Sequence, residues 1–237
     1  MEKFVRFPSQ VENFERKHYL RRRENLEKKF YLTCPVRNAT EEEKEKLAAY
    51  VSGWECKEVG IYYPKWDTEQ GNDPIGLRIC LANLGGITYA SEGVIKYLSR
   101  DSEGSVFDDG MAIMKNKPMR IINSELEKVS KKDLKEMPQI VQSIVLGYYF
   151  NEVDDYYKKL LERREEIKNS EIIEYDYRGR TSEFLFDFGM VLAAKKKIKV
   201  INEKEVKWTK NKSFENVLLT LNGVEDVEGL FDKFSPL

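Results

Sequence analysis

The segment from Gly93 to Ile122 constrains the fold more than any other part of the chain. Apolar runs over 93–98 and 119–122 each predict a strand. Between them lie the small-residue turn Ser102-Glu103-Gly104-Ser105 and a helix predicted over 106–116. A strand, a turn, a helix and a second strand in this order predict two parallel strands joined by a crossover helix.

The same turn is a candidate ligand site. Unpaired backbone N–H groups at the start of a helix bind anions, and the carboxylate of Asp108 lies one turn inside the predicted helix. A carboxylate in that place can attack or stabilise a sugar carbon. A well-capped crossover helix has the same local sequence, so this segment alone leaves both interpretations open.

Upstream elements continue the alternation of strands and helices. Strands are predicted over 30–34 and 59–64, a helix begins after Thr40, and another helix is predicted over 75–89. This order predicts the α/β class, with a parallel sheet covered by helices on both faces. The domain organisation predicted from the whole chain is a charged extension over 1–29, an α/β domain over 30–125 and a third part over 126–237, with helices over 130–168 and at the C-terminus.

The third part contains an echo of the first site. The run Phe107-Asp108-Asp109-Gly110-Met111 recurs 79 positions later (187 minus 108) as Phe186-Asp187-Phe188-Gly189-Met190. We interpret 170–202 as a degenerate half repeat, with strands over 171–176 and 198–201 around a helix over 182–195. Glu183 and Phe184 replace Gly104 and Ser105, which closes the amide cradle, so we expect this copy to extend the sheet or to cover the first site.

Composition excludes several kinds of function. The net charge of −1 provides no field for nucleic acid or anionic membrane. With His18 as the one histidine, Ser-His-Asp or Cys-His catalysis would depend on that residue alone. Three unpatterned cysteines have no zinc spacing, and no nucleotide-binding glycine motif is present. We therefore expect a cytoplasmic protein with a small-molecule partner, no metal and no organic cofactor.

Two motifs in this order resemble the nucleoside 2-deoxyribosyltransferase-like superfamily, which includes the 2′-deoxynucleoside 5′-monophosphate N-hydrolases. Tyr31-Leu32-Thr33-Cys34-Pro35 is similar to the opening strand of that family, and the run from Ser102 to Ala112 is similar to its site motif. The resemblance covers roughly 30–123 and, faintly, 170–202. It implies a flavodoxin-like, Rossmann-like parallel sheet, and a homo-oligomer such as a homodimer whose neighbour completes the pocket.

The resemblance also implies residue roles. Asp108 takes the place of the family's nucleophilic glutamate, one methylene shorter, and would attack the anomeric carbon of deoxyribose. Tyr31 takes the place of the tyrosine that orients that carboxylate. Ser102 stands where the monophosphate hydrolases carry serine, which favours a 5′-phosphorylated substrate. Gly104 and Ser105, with the helix amides, would hold phosphate or sugar.

Other polar residues are expected near the same crevice. Asp67 or Asp73 would bind the 3′-hydroxyl, and Arg37 follows the first strand at its carboxyl end. The alternative for Asp73-Pro74 is a cap on the next helix. The sequence leaves open the base, the choice between hydrolysis and transfer, and two rival functions: a non-catalytic nucleotide-binding or sensor protein, and a structural subunit.

Overall fold

The computed structural model of the chain describes residues 25–36, 39–69, 71, 73–98 and 102–234, with side chains as far as 232. Arg37 lies outside the described residues, as do residues 1–24 of the charged extension. The predicted role of Arg37 is therefore not placed by the structure.

The centre of the fold is a sheet of four parallel strands. These are β1 (Lys28–Thr33), β2 (Gly60–Tyr62), β3 (Gly93–Tyr97) and β4 (Met119–Ile122), in the order β2-β1-β3-β4. Tyr31 pairs with Tyr62 on one side and with Val94 on the other. The α/β class with a parallel sheet flanked by helices is confirmed, and the arrangement is consistent with a Rossmann-like fold.

Helices connect and follow these strands. They are α1 (Glu41–Glu55), α2 (Pro64–Asp67), α3 (Leu77–Tyr89), α4 (Glu103–Met114), α5 (Gln139–Tyr149), α6 (Asp155–Asn169), α7 (Ser182–Ala193), α8 (Phe214–Leu221) and α9 (Val227–Phe234). Short 3-10 helices cover Lys131–Leu134 and Glu203–Glu205. Helix α4 begins three residues earlier than predicted, because Ser102 caps it. No helix among the described residues is both long and apolar enough to cross a bilayer.

Both faces of the central sheet are buried, and alternate residues of β1 show this directly. Tyr31 belongs to a core formed with α3, α4, α5 and α7. Its neighbours Phe30 and Leu32 belong to a second core on the other face, with Leu47 and Val51 of α1. Successive side chains of a strand point to opposite faces, so a strand that is apolar at every position must be covered on both.

The C-terminal part forms a second, separate sheet. Strands β5 (Ile172–Tyr175) and β6 (Lys197–Val200) pair in parallel with each other, and α7 lies between them in sequence. The expectation that this part extends the first sheet is wrong for the described residues, because neither of its two strands pairs with a strand of that sheet. Instead α7 packs on α4, and Phe107 and Phe188 meet across this contact with ring centroids 5.5 Å apart. One apolar core therefore joins both parts of the chain.

Candidate active site

A cavity of about 270 Å³ lies at the carboxyl ends of β1 and β3. The chain leaves these neighbouring strands in opposite directions, toward β2 and β4, and such switch points form the ligand crevices of open parallel sheets. Cys34 follows β1 at the cavity wall, and Ser102, Gly104 and Asp108 line it from α4 and its cap. The volume is near the lower end of the roughly 300–1,000 Å³ typical of small-molecule sites.

Tyr31 and Asp108 meet at this cavity. The Tyr31 hydroxyl donates a 2.6 Å hydrogen bond to Oδ2 of Asp108. Oδ1 accepts a longer contact, 3.4 Å, from Nδ2 of Asn83. The ring of Tyr62 stacks on that of Tyr31 at 5.4 Å and limits its movement. The two side chains that the resemblance pairs are thus in direct contact, and Oδ1 is the less engaged carboxylate oxygen.

Burial dominates the electrostatics of the pair. It raises the pKa of Asp108 to about 7, against the opposing effect of the hydrogen bonds from Tyr31 and Asn83. Burial, and then the charge of Asp108, raise the pKa of Tyr31 well above its usual value, so its hydroxyl stays a donor. The same two causes raise the pKa of the Cys34 thiol, which therefore remains protonated at neutral pH. Of these three groups, Asp108 is the one that changes charge near pH 7.

The Ser/Gly turn is built around the start of α4. Oγ of Ser102 accepts a 3.1 Å hydrogen bond from the backbone N–H of Ser105, and the two hydroxyl oxygens are 2.6 Å apart. Beyond its chain neighbours and the backbone of its own helix, no atom lies within 4 Å of the position that a Cβ on Gly104 would take, so the chain is open to the cavity there. The carbonyl of Ser105 accepts a 3.4 Å hydrogen bond from Thr33. Ser102 and Gly104 line the cavity, while Ser105 fixes the turn to β1.

Asp67 and Asp73 bind backbone N–H groups that lie close to them in the sequence. Oδ2 of Asp67 accepts from the N–H of Tyr63 at 2.6 Å. Asp73 accepts from the N–H groups of Gly76 at 2.8 Å and Ile79 at 2.9 Å, which is the capping alternative. Neither carboxylate is among the described residues that line the cavity. A short carboxylate side chain can accept from N–H groups a few residues away, at a turn or at the start of a helix, instead of facing a ligand.

The far wall of the cavity comes from the C-terminal part. Arg180, in the loop before α7, donates to Glu103 through Nη1 at 2.9 Å and to Glu215 through Nε at 2.8 Å. Phe214, at the start of α8, packs on Phe107 with centroids 4.8 Å apart. Sequence reasoning missed Arg180 and Phe214 because neither stands in a motif. The expectation that 170–202 covers the first site pointed to this part of the chain in general and named neither residue.

A second tyrosine–aspartate contact forms at Asp187, the residue 79 positions beyond Asp108. The Tyr175 hydroxyl donates a 2.7 Å hydrogen bond to Oδ2 of Asp187. Arg163 of α6 binds the same carboxylate, with Nε 2.6 Å from Oδ1. Sequence reasoning found Asp187 but missed both partners. An arginine therefore neutralises this second carboxylate, whereas no cation contacts Asp108 in the described structure.

Comparison of the chain with protein-family models, with curated proteins and with solved structures gave no match in any of the three. The likeness to the nucleoside 2-deoxyribosyltransferase-like superfamily stays a resemblance of motifs. The case for a function rests on the geometry of the cavity.

Proposed function

We propose that this chain cleaves or transfers at the N-glycosidic bond of a 2′-deoxynucleotide or 2′-deoxynucleoside, with Asp108 as the nucleophile and Tyr31 as its orienting partner. One observation carries the proposal: a buried tyrosine hydroxyl holds a buried carboxylate at the wall of an open cavity. A carboxylate held in one orientation and shielded from water is suited to attack on a sugar carbon.

The chemistry proceeds in two displacements. A carboxylate oxygen of Asp108 forms a bond to the anomeric carbon while the C–N bond breaks. The electron pair of the C–N bond leaves with the base, and the base takes up a proton. Water then attacks the same carbon, loses a proton and regenerates the Asp108 carboxylate. When a second base attacks in place of water, the outcome is transfer rather than hydrolysis.

The two carboxylate oxygens of Asp108 have different roles in the proposal. Oδ2 is bound by Tyr31 at 2.6 Å, which sets the rotation of the carboxylate. Oδ1, with only the 3.4 Å contact from Asn83, is the oxygen we assign to the attack. Since the pKa of Asp108 is about 7, a large fraction of molecules carry the ionised carboxylate at neutral pH and above.

The rest of the cavity supplies places for a nucleoside. Phe107 and Phe214 present apolar ring surface suited to a base. Gly104 leaves room near the first N–H groups of α4, where a sugar oxygen or a 5′-phosphate would be favoured. Arg180 is the one cation among the described residues that line the cavity. No metal ion or organic cofactor has a role in this proposal.

The proposal assigns the chemistry to the first of the two related units. We interpret residues 170–202 as a partial repeat that has lost this role, because Arg163 already neutralises Asp187. The same chain supplies Arg180 and Phe214 to the first cavity. In the proposal these residues take the place of the neighbouring subunit that the resemblance implies.

The experiment is release of free base from a panel of 2′-deoxynucleosides and their 5′-monophosphates, separated by chromatography. We expect turnover with at least one substrate, loss of turnover in Asp108→Asn, and unchanged turnover in the matched control Asp187→Asn. Asn keeps the shape of the side chain and loses the nucleophilic charge, so the pair of variants isolates the chemistry of one carboxylate. Loss in both variants would point to folding instead.

The alternative function is a nucleotide-binding or sensor protein without turnover. It would use the same cavity and would not need an ionised Asp108. Binding of a nucleotide by the wild-type protein, with no base released in the presence of water or of any added base, would favour that alternative.

A further inference from the structure

A buried ion pair lies beside the candidate nucleophile. Lys96 of β3 and Asp109 of α4 are 2% and 0% exposed, and the Lys96 ammonium donates to Oδ2 of Asp109. Oδ1 of Asp109 is buried and has no hydrogen-bond partner in the described part of the chain. Burying two charges with incomplete hydrogen bonding is costly, and apolar residues of similar volume often stabilise a protein at least as well. The pair therefore calls for a reason other than stability.

The second unit shows that these two positions can be packed without charge. Residues 79 positions beyond Lys96 and Asp109 are Tyr175 and Phe188, on β5 and α7. Their rings meet edge to face, with centroids 6.1 Å apart. The unit whose aspartate is neutralised by Arg163 thus has an aromatic contact where the unit with the candidate nucleophile has an ion pair.

The geometry connects the ion pair to Asp108. Asp108 and Asp109 are adjacent on α4, and adjacent helical residues point about 100° apart. One carboxylate consequently binds Tyr31 on β1, and the other binds Lys96 on β3. Strands β1 and β3 are neighbours, with Tyr31 paired to Val94, two residues before Lys96. Two side-chain contacts on two strands fix the rotation of α4 about its own axis.

We propose that Lys96 and Asp109 are positioning residues, which hold α4 in the rotation that keeps the Asp108 carboxylate against the Tyr31 hydroxyl. This inference rests on the proposed function for its catalytic meaning, and its structural part can be tested without turnover. Opposite charges in the pair also act on Asp108 in opposite directions, since Asp109 raises its pKa and Lys96 lowers it, both less than burial does. Asp109 has the larger of these two effects, so removing both charges would by itself lower the pKa of Asp108.

Other groups that face Asp108 are known from the elements packed around it. From β1 these are Tyr31 and, just past its end, Cys34; from α3 it is the uncharged Asn83. Glu103 and Arg180 lie on the cavity wall and bind each other. An upward shift in the titration of Asp108, after the Lys96 and Asp109 charges are removed together, therefore reports a weakened contact with Tyr31.

The experiment measures the titration midpoint of Asp108 by NMR of carboxyl-labelled aspartate, with Asp108→Asn to assign the signal. The test protein is the double variant Lys96→Met with Asp109→Leu, which leaves no unpaired buried charge. The hydrogen bond from Tyr31 lowers the pKa of Asp108. Tyr31→Phe removes that bond, so it should raise the midpoint, and it calibrates the size of the shift. We expect the double variant to shift upward toward Tyr31→Phe. A midpoint at or below that of the wild type would overturn the positioning role.

Turnover supplies the second measurement. A helix rotation that displaces the nucleophile should lower kcat about tenfold or more, with KM little changed, because displacement by about 1 Å can cost a hundredfold. A double variant with the kcat of the wild type would overturn the inference while the proposed function stands. If the wild-type protein releases no base, the proposed function fails, and the NMR midpoint still decides whether the ion pair positions Asp108.

Discussion

Gly110 and Gly189 occupy matching places where α4 and α7 cross, 79 positions apart in the sequence. Gly110 lies against the backbone carbonyl of Phe186, and Gly189 lies against that of Phe107. The contact is reciprocal, as in a two-fold interface between identical subunits, but it is formed within one chain. These glycines bring the two helices close enough for the C-terminal part to cover the cavity.

Replacing either glycine of the crossing by alanine should destabilise the protein. A Cβ at Gly110 or Gly189 would overlap a backbone carbonyl oxygen, which cannot move aside like a side chain. We expect each substitution to lower the free energy of unfolding by about 1–3 kcal/mol or more, measured by denaturant titration. Gly104→Ala, on the same helix with nothing within 4 Å of its Cβ position, is the control and should be neutral or slightly stabilising. Equal effects at Gly110 and Gly104 would contradict the packing argument.

The pH dependence of turnover should report Asp108. The nucleophile must be ionised, and burial raises its pKa to about 7, so kcat/KM should rise with pH through about 7 and level off above it. Tyr31→Phe removes a hydrogen bond that stabilises the carboxylate, so the rise should move to higher pH. Rates of base release between pH 5 and 9 test both statements. A rate that does not change between pH 5 and pH 9 would contradict the raised pKa of Asp108 and its role as the titrating nucleophile.

Stability should also depend on pH through Asp108. Its pKa is about 7 in the folded chain and 3.8 in an unperturbed one, so the folded state favours the protonated form. The free energy of unfolding should fall as pH rises from about 4 to above 7, by at most roughly 4 kcal/mol at about 1.4 kcal/mol per pKa unit. Asp108→Asn cannot ionise, so the variant should gain on the wild type between pH 5 and pH 8. Parallel denaturant titrations at both pH values measure this difference, and Asp187→Asn serves as the control.

Arg180 should decide between a phosphorylated and an unphosphorylated ligand. A 5′-phosphate in the cavity would compete with Glu103 for the guanidinium, which now lies 2.9 Å from that carboxylate. If the ligand is a monophosphate, Glu103→Gln should tighten its binding and Arg180→Gln should weaken it, with little change for the nucleoside. Calorimetric titration with each nucleoside and its monophosphate measures both effects. Equal responses of the two ligands would show that Arg180 does not contact a phosphate.

The alternation of elements was predictable from the sequence, because strand and helix patterns and helix caps are local properties. The strands within 30–122 and the helix Ser182–Ala193 follow from residues within a few positions of each other, although the predicted start of α4 was three residues too late. The motifs around Tyr31 and Asp108 also predicted that these two side chains act together. Their hydrogen bond forms because neighbouring elements of the sheet bring together residues 77 positions apart.

Other features were decided by the tertiary structure alone. The sequence shows Lys96 as a polar residue inside an apolar strand and Asp109 as an extra acid, and nothing local states that they pair. Arg180, Phe214 and Arg163 carry no motif, and their roles come from where α6, α7 and α8 pack. The sequence by itself determined the elements and the candidate nucleophile, since those depend on short-range patterns. Packing between distant segments decided what surrounds that nucleophile, because burial and charge pairing arise only when those segments meet.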